Sequence, residues 1–99
     1  MFVVRRVVGD SMLPVLRADR VVVAVRAWRV RPGDVVIIRH DGKDKIKRVH
    51  TVQDGQVFLL GDNPAASTDS RHFGWLPRRA VVARVLWPKT RPQGRIPLE

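Results

Sequence analysis

Nineteen Lys and Arg against nine Asp and Glu leave a chain of 99 residues with a formal charge of +10. That length makes one small domain, burying roughly 60–70% of the surface its unfolded chain exposes, with no room for separate catalytic and binding domains. The absence of Cys excludes disulfide frameworks, thiolate zinc sites and cysteine nucleophiles.

The periodicity is that of strands: Val occurs eighteen times, in short apolar segments bounded by Gly, Pro and Asp. Phe2 to Val8 reads as a first strand interrupted by Arg5 and Arg6, and Gly9 to Pro14 as a turn or the opening of a short helix. Arg20 to Val25 is a nearly continuous apolar run, which predicts a strand buried on both faces. Arg31-Pro32-Gly33-Asp34 is a turn, followed by a strand from Val35 to His40. Asp41-Gly42 signals a hairpin into a strand over Lys45 to Val52, and Asp54-Gly55 signals a second into Val57 to Leu60. Gly61 to Gly74 has no periodicity and reads as a long loop, which in a small domain points to function. Ala80 to Leu86 closes the sheet, and the last dozen residues, with three Pro, read as a flexible basic tail.

The longest apolar run, Val21 to Val25, is far short of the ~20 residues of a spanning helix. The opening residues are too few and too charged for a signal peptide. Attachment to a membrane would then come from the surface or from a partner. Fifteen of the nineteen cations are Arg, scattered through the chain, and only the stretch from Lys43 to Arg48 approaches a cluster. Scattered charge with few aromatics disfavours nucleic acid as the partner and suits anionic lipid headgroups equally well.

Polar residues stand out in three places: Gly9 to Pro14, Lys47-Arg48 inside an apolar strand, and the loop from Gly61 to Arg71. A Ser hydroxyl is a poor nucleophile until a base removes its proton. A Lys can be that base if burial lowers its pKa from ~10.4. Lys47, between Ile46 and Val49, is the candidate base, and Ser11 is the candidate nucleophile, behind Gly9-Asp10, where backbone N–H groups can face an oxyanion. His40, His50 and His72 are rival bases, but no Gly-x-Ser-x-Gly elbow is present and their spacing matches no zinc pattern. The ordinary alternatives are a helix-capping Ser11, a solvated Lys47 and a surface ion pair between Asp69 and Arg71.

Four segments in order carry a resemblance. Gly9-Asp10-Ser11-Met12-Leu13-Pro14 resembles the Ser-Met-x-Pro box of type I signal peptidases. Arg31 to Val36 is similar to their Gly-Asp-Val box, Lys47-Arg48-Val49 to their Lys-Arg box, and Gly61 to Gly74 to their Gly-Asp-Asn…Ser-x-Asp-Ser-Arg box. The resemblance implies a mainly β fold, a small antiparallel or mixed barrel-like core with little helix over residues 1–87, ahead of a tail at 88–99. It implies a serine endopeptidase with a Ser-Lys dyad, without cofactor or metal: Ser11 the nucleophile, Lys47 the general base. Ser67 would orient the lysine, Asp69 and Arg71 would shape the site, Asp62 and Asn63 would fix the loop, and Arg48 would be structural. Gly9 stands where some members contribute a hydroxyl to the oxyanion hole, which leaves the backbone N–H of Ser11. Met12 and Leu13 would touch the substrate or an anionic membrane.

The departures narrow the resemblance. Val15 replaces a usual Thr, and His50 to Gly55 replaces a Gly-x-Pro-Gly-Asp turn. Only twelve residues separate Arg48 from Gly61, where the large bacterial enzymes carry a second β domain. The chain is therefore similar to the mitochondrial inner-membrane proteases and the nickel superoxide dismutase maturation proteases. A membrane-peripheral signal peptidase, cutting exported preproteins after small residues, is the first expectation. A cytoplasmic protease that removes a propeptide from a nickel superoxide dismutase-type precursor is the second. A basic β-barrel that binds nucleic acid without catalysis is the third.

Overall fold

A computed structural model describes residues 1–26 and 29–90 of the chain. Seven strands occur in it: β1 (Phe2–Arg6), β2 (Val21–Val25), β3 (Val35–His40), β4 (Lys43–Gln53), β5 (Gln56–Leu60), β6 (Leu76–Pro77) and β7 (Val81–Trp87). They form one sheet in the order β1-β2-β7-β3-β4-β5-β6, with every neighbouring pair antiparallel. The expected mainly β core with little helix is there. The sheet stays open, since β1 pairs with β2 and β6 with β5, and it contains no parallel pair among the described residues. Most of the tail expected at 88–99 lies outside the described residues.

The two Asp-Gly pairs make the hairpins. Asp41 and Gly42 have φ of 53° and 72°, and Asp54 and Gly55 have φ of 51° and 75°. Positive φ at both central residues is the turn whose twist matches the flanking strands. These turns set β3, β4 and β5 as a meander, with β7 returning to β3 from the far end of the chain.

β3 is the strand buried on both faces. Val36 and Ile38 join Val49, Leu59 and Val81 in one apolar cluster, while Val35 packs with Val7, Met12 and Leu16, and Ile37 with Ala24 and Ala83. The two-sided burial expected for Arg20 to Val25 is not found, because Val22 and Ala24 are buried while Val21 is exposed. The register shows why. Phe2 lies across from Val25 and Val25 from Arg84, Val4 from Val23 and Val23 from Trp87, and Arg6 from Val21. The first two of these rows form an outer sheet face that no other described element covers, and Phe2 is 69% and Trp87 56% exposed. A run of Val reads the same whether its second face meets core or solvent.

The long loop has local structure that its composition hid. Pro64–Ala66 is one 3-10 turn, and Ser70–Phe73 is a single α-turn, α1. Asp69 caps α1, accepting from the Arg71 N–H at 3.1 Å, while its own N–H donates to His72 Nδ1 at 3.3 Å. β6, two residues long and half Pro, is below the length at which alternation can be read.

Candidate active site

Consecutive side chains on a strand point to opposite sides, so Lys47 and Arg48 serve different neighbours. Arg48 donates to Asp62 through Nε at 2.8 Å and Nη2 at 2.7 Å, and through Nη1 to the Gly33 carbonyl at 2.7 Å. This buried fork ties β4 to the start of the long loop and to the turn before β3. Asn63, next in the loop, donates its N–H to the Ser11 carbonyl at 2.7 Å and its side-chain amide to the Asp10 carbonyl at 3.1 Å. The segment carrying Ser11 is thereby pinned to the loop that Arg48 holds.

On the other side, Lys47 is 4% exposed and donates from Nζ to Ser67 Oγ at 3.3 Å. Ser67 Oγ donates in turn to Asp69 Oδ2 at 2.7 Å. Asp69, with 0% exposure, also accepts from the Gly61 N–H at 2.9 Å and from Arg71 at 3.0 Å and 2.6 Å. Every lone pair used in this chain is fixed by a donor, so the Lys47 amine is held on one bearing. Burial pushes the Lys47 pKa down, the Asp69 carboxylate opposes that, and Lys45 and Arg71 add to it; the result lies below the usual value. Burial alone would raise the Asp69 pKa, but Arg71, the Gly61 N–H and the Ser67 hydroxyl outweigh it and hold it well below the usual carboxylate range.

Ser11 and Lys47 line one cleft of about 200 Å³, with Arg6, Val7, Val8 and Met12 along one wall and Asp44, Lys45 and Ile46 along the other. Among the described residues Lys47 is bonded to Ser67 and not to Ser11. None of the three His lines this cleft: His40 stacks on Phe73, His50 bonds Thr51 at 2.6 Å and His72 caps α1. Lys47 is not a solvated strand lysine, and Asp69–Arg71 is not a surface pair.

Gly9, with φ of 77°, turns the chain just ahead of Ser11. Met12, which the resemblance implies as a substrate or membrane contact, lines the cleft but is largely covered. At 1% exposure it packs with Val7, Leu16 and Val22 and reaches the cleft only as part of its wall. Leu13 is half-buried. The apolar residues that do face outward include Phe2, Val4 and Trp87 of the β1–β2–β7 rows, with Val8, Val52 and Trp75 elsewhere.

The sequence marks Gly61 and Ser70 as members of the polar loop but gives neither a role of its own. Ser70 Oγ accepts from the Leu59 N–H at 2.8 Å, seating α1 on β5. A Cβ on Gly61 would overlap the Ser67 hydroxyl and lie 2.6 Å from Ser67 Cβ and 2.7 Å from the Ser11 carbonyl oxygen. The glycine is needed for close approach, since its φ is not in the left-handed region. Gly61→Ala is expected to cost about 1–3 kcal/mol of stability and to displace both neighbours. Denaturant melts read the first effect, and a variant as stable and as active as the parent would sink it. The residues of the cleft walls carry no spacing signal, because β1 and β4 meet there only through the fold.

A family model described as Peptidase S24-like matches residues 2–73. The chain is similar to mitochondrial inner membrane protease subunit 1 of Schizosaccharomyces pombe, 38% identical over 60 residues, or 58% of this chain and 36% of that protein. It is similar to signal peptidase I of Bacillus caldolyticus, 37% identical over 59 residues, or 57% of this chain and 29% of that one. It also resembles mitochondrial ATP-independent inner membrane protease subunit 1a of Arabidopsis thaliana, 48% identical over 40 residues, or 37% of this chain and 24% of that one. The matched region therefore spans little more than a third of these relatives at most.

Proposed function

Because the chain belongs to the Peptidase S24-like family, we propose that it is a serine endopeptidase of the signal-peptidase type, working through Ser11 and Lys47. One observation carries the reading: a buried lysine of lowered pKa, aimed by Ser67, Asp69 and Arg71, opens on the same cleft as Ser11. A neutral Lys47 takes the Ser11 proton as Oγ attacks the peptide carbonyl. The oxyanion is received by backbone N–H groups at the Gly9–Ser11 turn. Collapse passes the proton from Lys47 to the leaving amine and leaves an acyl-serine. Water, deprotonated by the same amine, then releases the acid. The hydrogen bond between base and nucleophile forms when substrate closes the cleft, as such bonds often do.

The substrates proposed are preproteins cut after small residues, which suits a cleft of about 200 Å³. Placement at an anionic membrane surface is supported by the exposed rows of Phe2, Val4 and Trp87 with Arg84 at their margin. No helix among the described residues is long and apolar enough to cross a membrane.

The test is hydrolysis of an Ala-x-Ala peptide followed across pH. Activity requires the unprotonated amine, so the rate rises with pH through the Lys47 pKa and levels off below 10.5, the ordinary lysine value. A rate that levels only above that value, or no hydrolysis of any such peptide, would overturn the reading.

A further inference from the structure

The cleft is not electrically neutral once Lys47 has lost its proton. The remaining charged residues that line it are Lys45, Arg6 and Asp44. Asp44 is already taken, paired with Arg39 at 2.9 Å and with Arg5 at 3.5 Å. Arg6 spends one N–H on the Asp19 carbonyl at 3.0 Å, and the other guanidinium donors of its fork are unused by that bond. Lys45 rests its ammonium 5.2 Å above the Phe73 ring and 3.4 Å from His40 Nδ1, contacts that orient a cation without neutralising it.

Spacing gives this charge a meaning for substrate. Lys45 lies two residues from Lys47 on β4, on the same face, and about 6.6 Å along the strand. A peptide lying extended beside β4, with its scissile carbonyl between Ser11 and Lys47, repeats that rise, so its side chain two residues away falls beside Lys45. We infer that Lys45 and Arg6 form a carboxylate subsite, and that the enzyme prefers polypeptides with an acidic side chain two residues from the scissile bond. The inference rests on the protease reading and adds a substrate class to it.

Peptides in an Ala-x-Ala frame carrying Glu, Gln or Lys either at the second residue after the scissile bond or in place of the first Ala provide the test. On one side the Glu peptide should exceed the Lys peptide by about tenfold in kcat/KM at low salt, the gap closing as salt is added. Lys45→Glu should reverse the order, and Arg6→Glu, on a different strand, should weaken it independently. Equal kcat/KM for all three peptides, with cleavage still dependent on Ser11, would overturn the subsite and leave the protease. If no peptide is cut, the protease reading fails, and binding to the Ser11→Ala protein by fluorescence anisotropy still decides the subsite. Tighter binding of the Glu peptide, lost in Lys45→Glu, supports it; equal binding of Glu and Lys peptides rejects it.

Discussion

Ser11→Ala and Lys47→Met should each lower kcat/KM by about four to six powers of ten, the range seen when one member of a nucleophile–base unit is removed. The two substitutions remove different atoms from one proton transfer, so the double variant should be no worse than either alone. Their effects on stability should be small and differ in sign with pH. Ser11 is half-buried in a turn, and its loss takes away only a hydroxyl. Lys47 has a folded-state pKa below its unfolded one, so between those values the unfolded chain binds the extra proton and stability rises with pH. At neutral pH, which lies below the ordinary lysine value, the buried amine is therefore a burden on the fold. Met fills the same volume without a charge and should melt no lower than the parent. Kinetics and thermal melts on the same preparations separate the two effects. Parental turnover in Lys47→Met would remove the lysine from the mechanism.

The largest loss of stability should come from Arg48 or Asp62. Both side chains are almost fully covered, and each satisfies the other at 2.7 Å and 2.8 Å. Removing one leaves a buried charge without its partner, which costs about 3–5 kcal/mol. A domain of this size has only about 5–15 kcal/mol in all, so Arg48→Met and Asp62→Leu should each be close to unfolded at physiological temperature. The double variant Arg48→Met/Asp62→Leu removes both charges and should recover a good part of the loss. Urea melts of the three proteins decide it, and a double variant as unstable as the sum of the singles would show that the pair is not coupled. The double variant should still be a poor enzyme, because Asp62 also anchors the loop whose Asn63 holds the Ser11 backbone.

Turn chemistry and local motifs were the legible part of this molecule. Asp41-Gly42 and Asp54-Gly55 named both hairpins because only a few residues tolerate that backbone. The polar residues of the long loop were legible as a group, since a run from Gly61 to Arg71 with no periodicity has no core to build. What the sequence could not carry was which side of a strand is covered. Val21 to Val25 is uniformly apolar, yet half of it faces outward. The resemblance implies a substrate or membrane contact at Met12 without saying how far Val22 of β2 and Val35 of β3 cover it. Closure was equally invisible: whether β1 meets β6 depends on sheet curvature, which no single segment encodes. The meeting of Ser11 with Lys47 depends on β1 and β4 facing one cleft, a contact between distant parts of the chain.

The place of β7 implies an order of assembly. The β3-β4-β5 meander is joined by two-residue turns, and such hairpins form within about 1–10 μs. Lys47 and the Ser67–Asp69–Arg71 relay that aims it belong to this meander and to the loop directly after it. Ser11 lies between β1 and β2, whose strands are hydrogen-bonded into the sheet beside β3 only through β7, the last strand made, although side chains of β3 and the Asn63 loop also touch the Ser11 segment. Pairings between such distant segments form late. On the proposed dyad, the base and its relay would be assembled before the final strand fixes the sheet position of the strands that flank the nucleophile. Activity through that dyad would then wait on the insertion of β7.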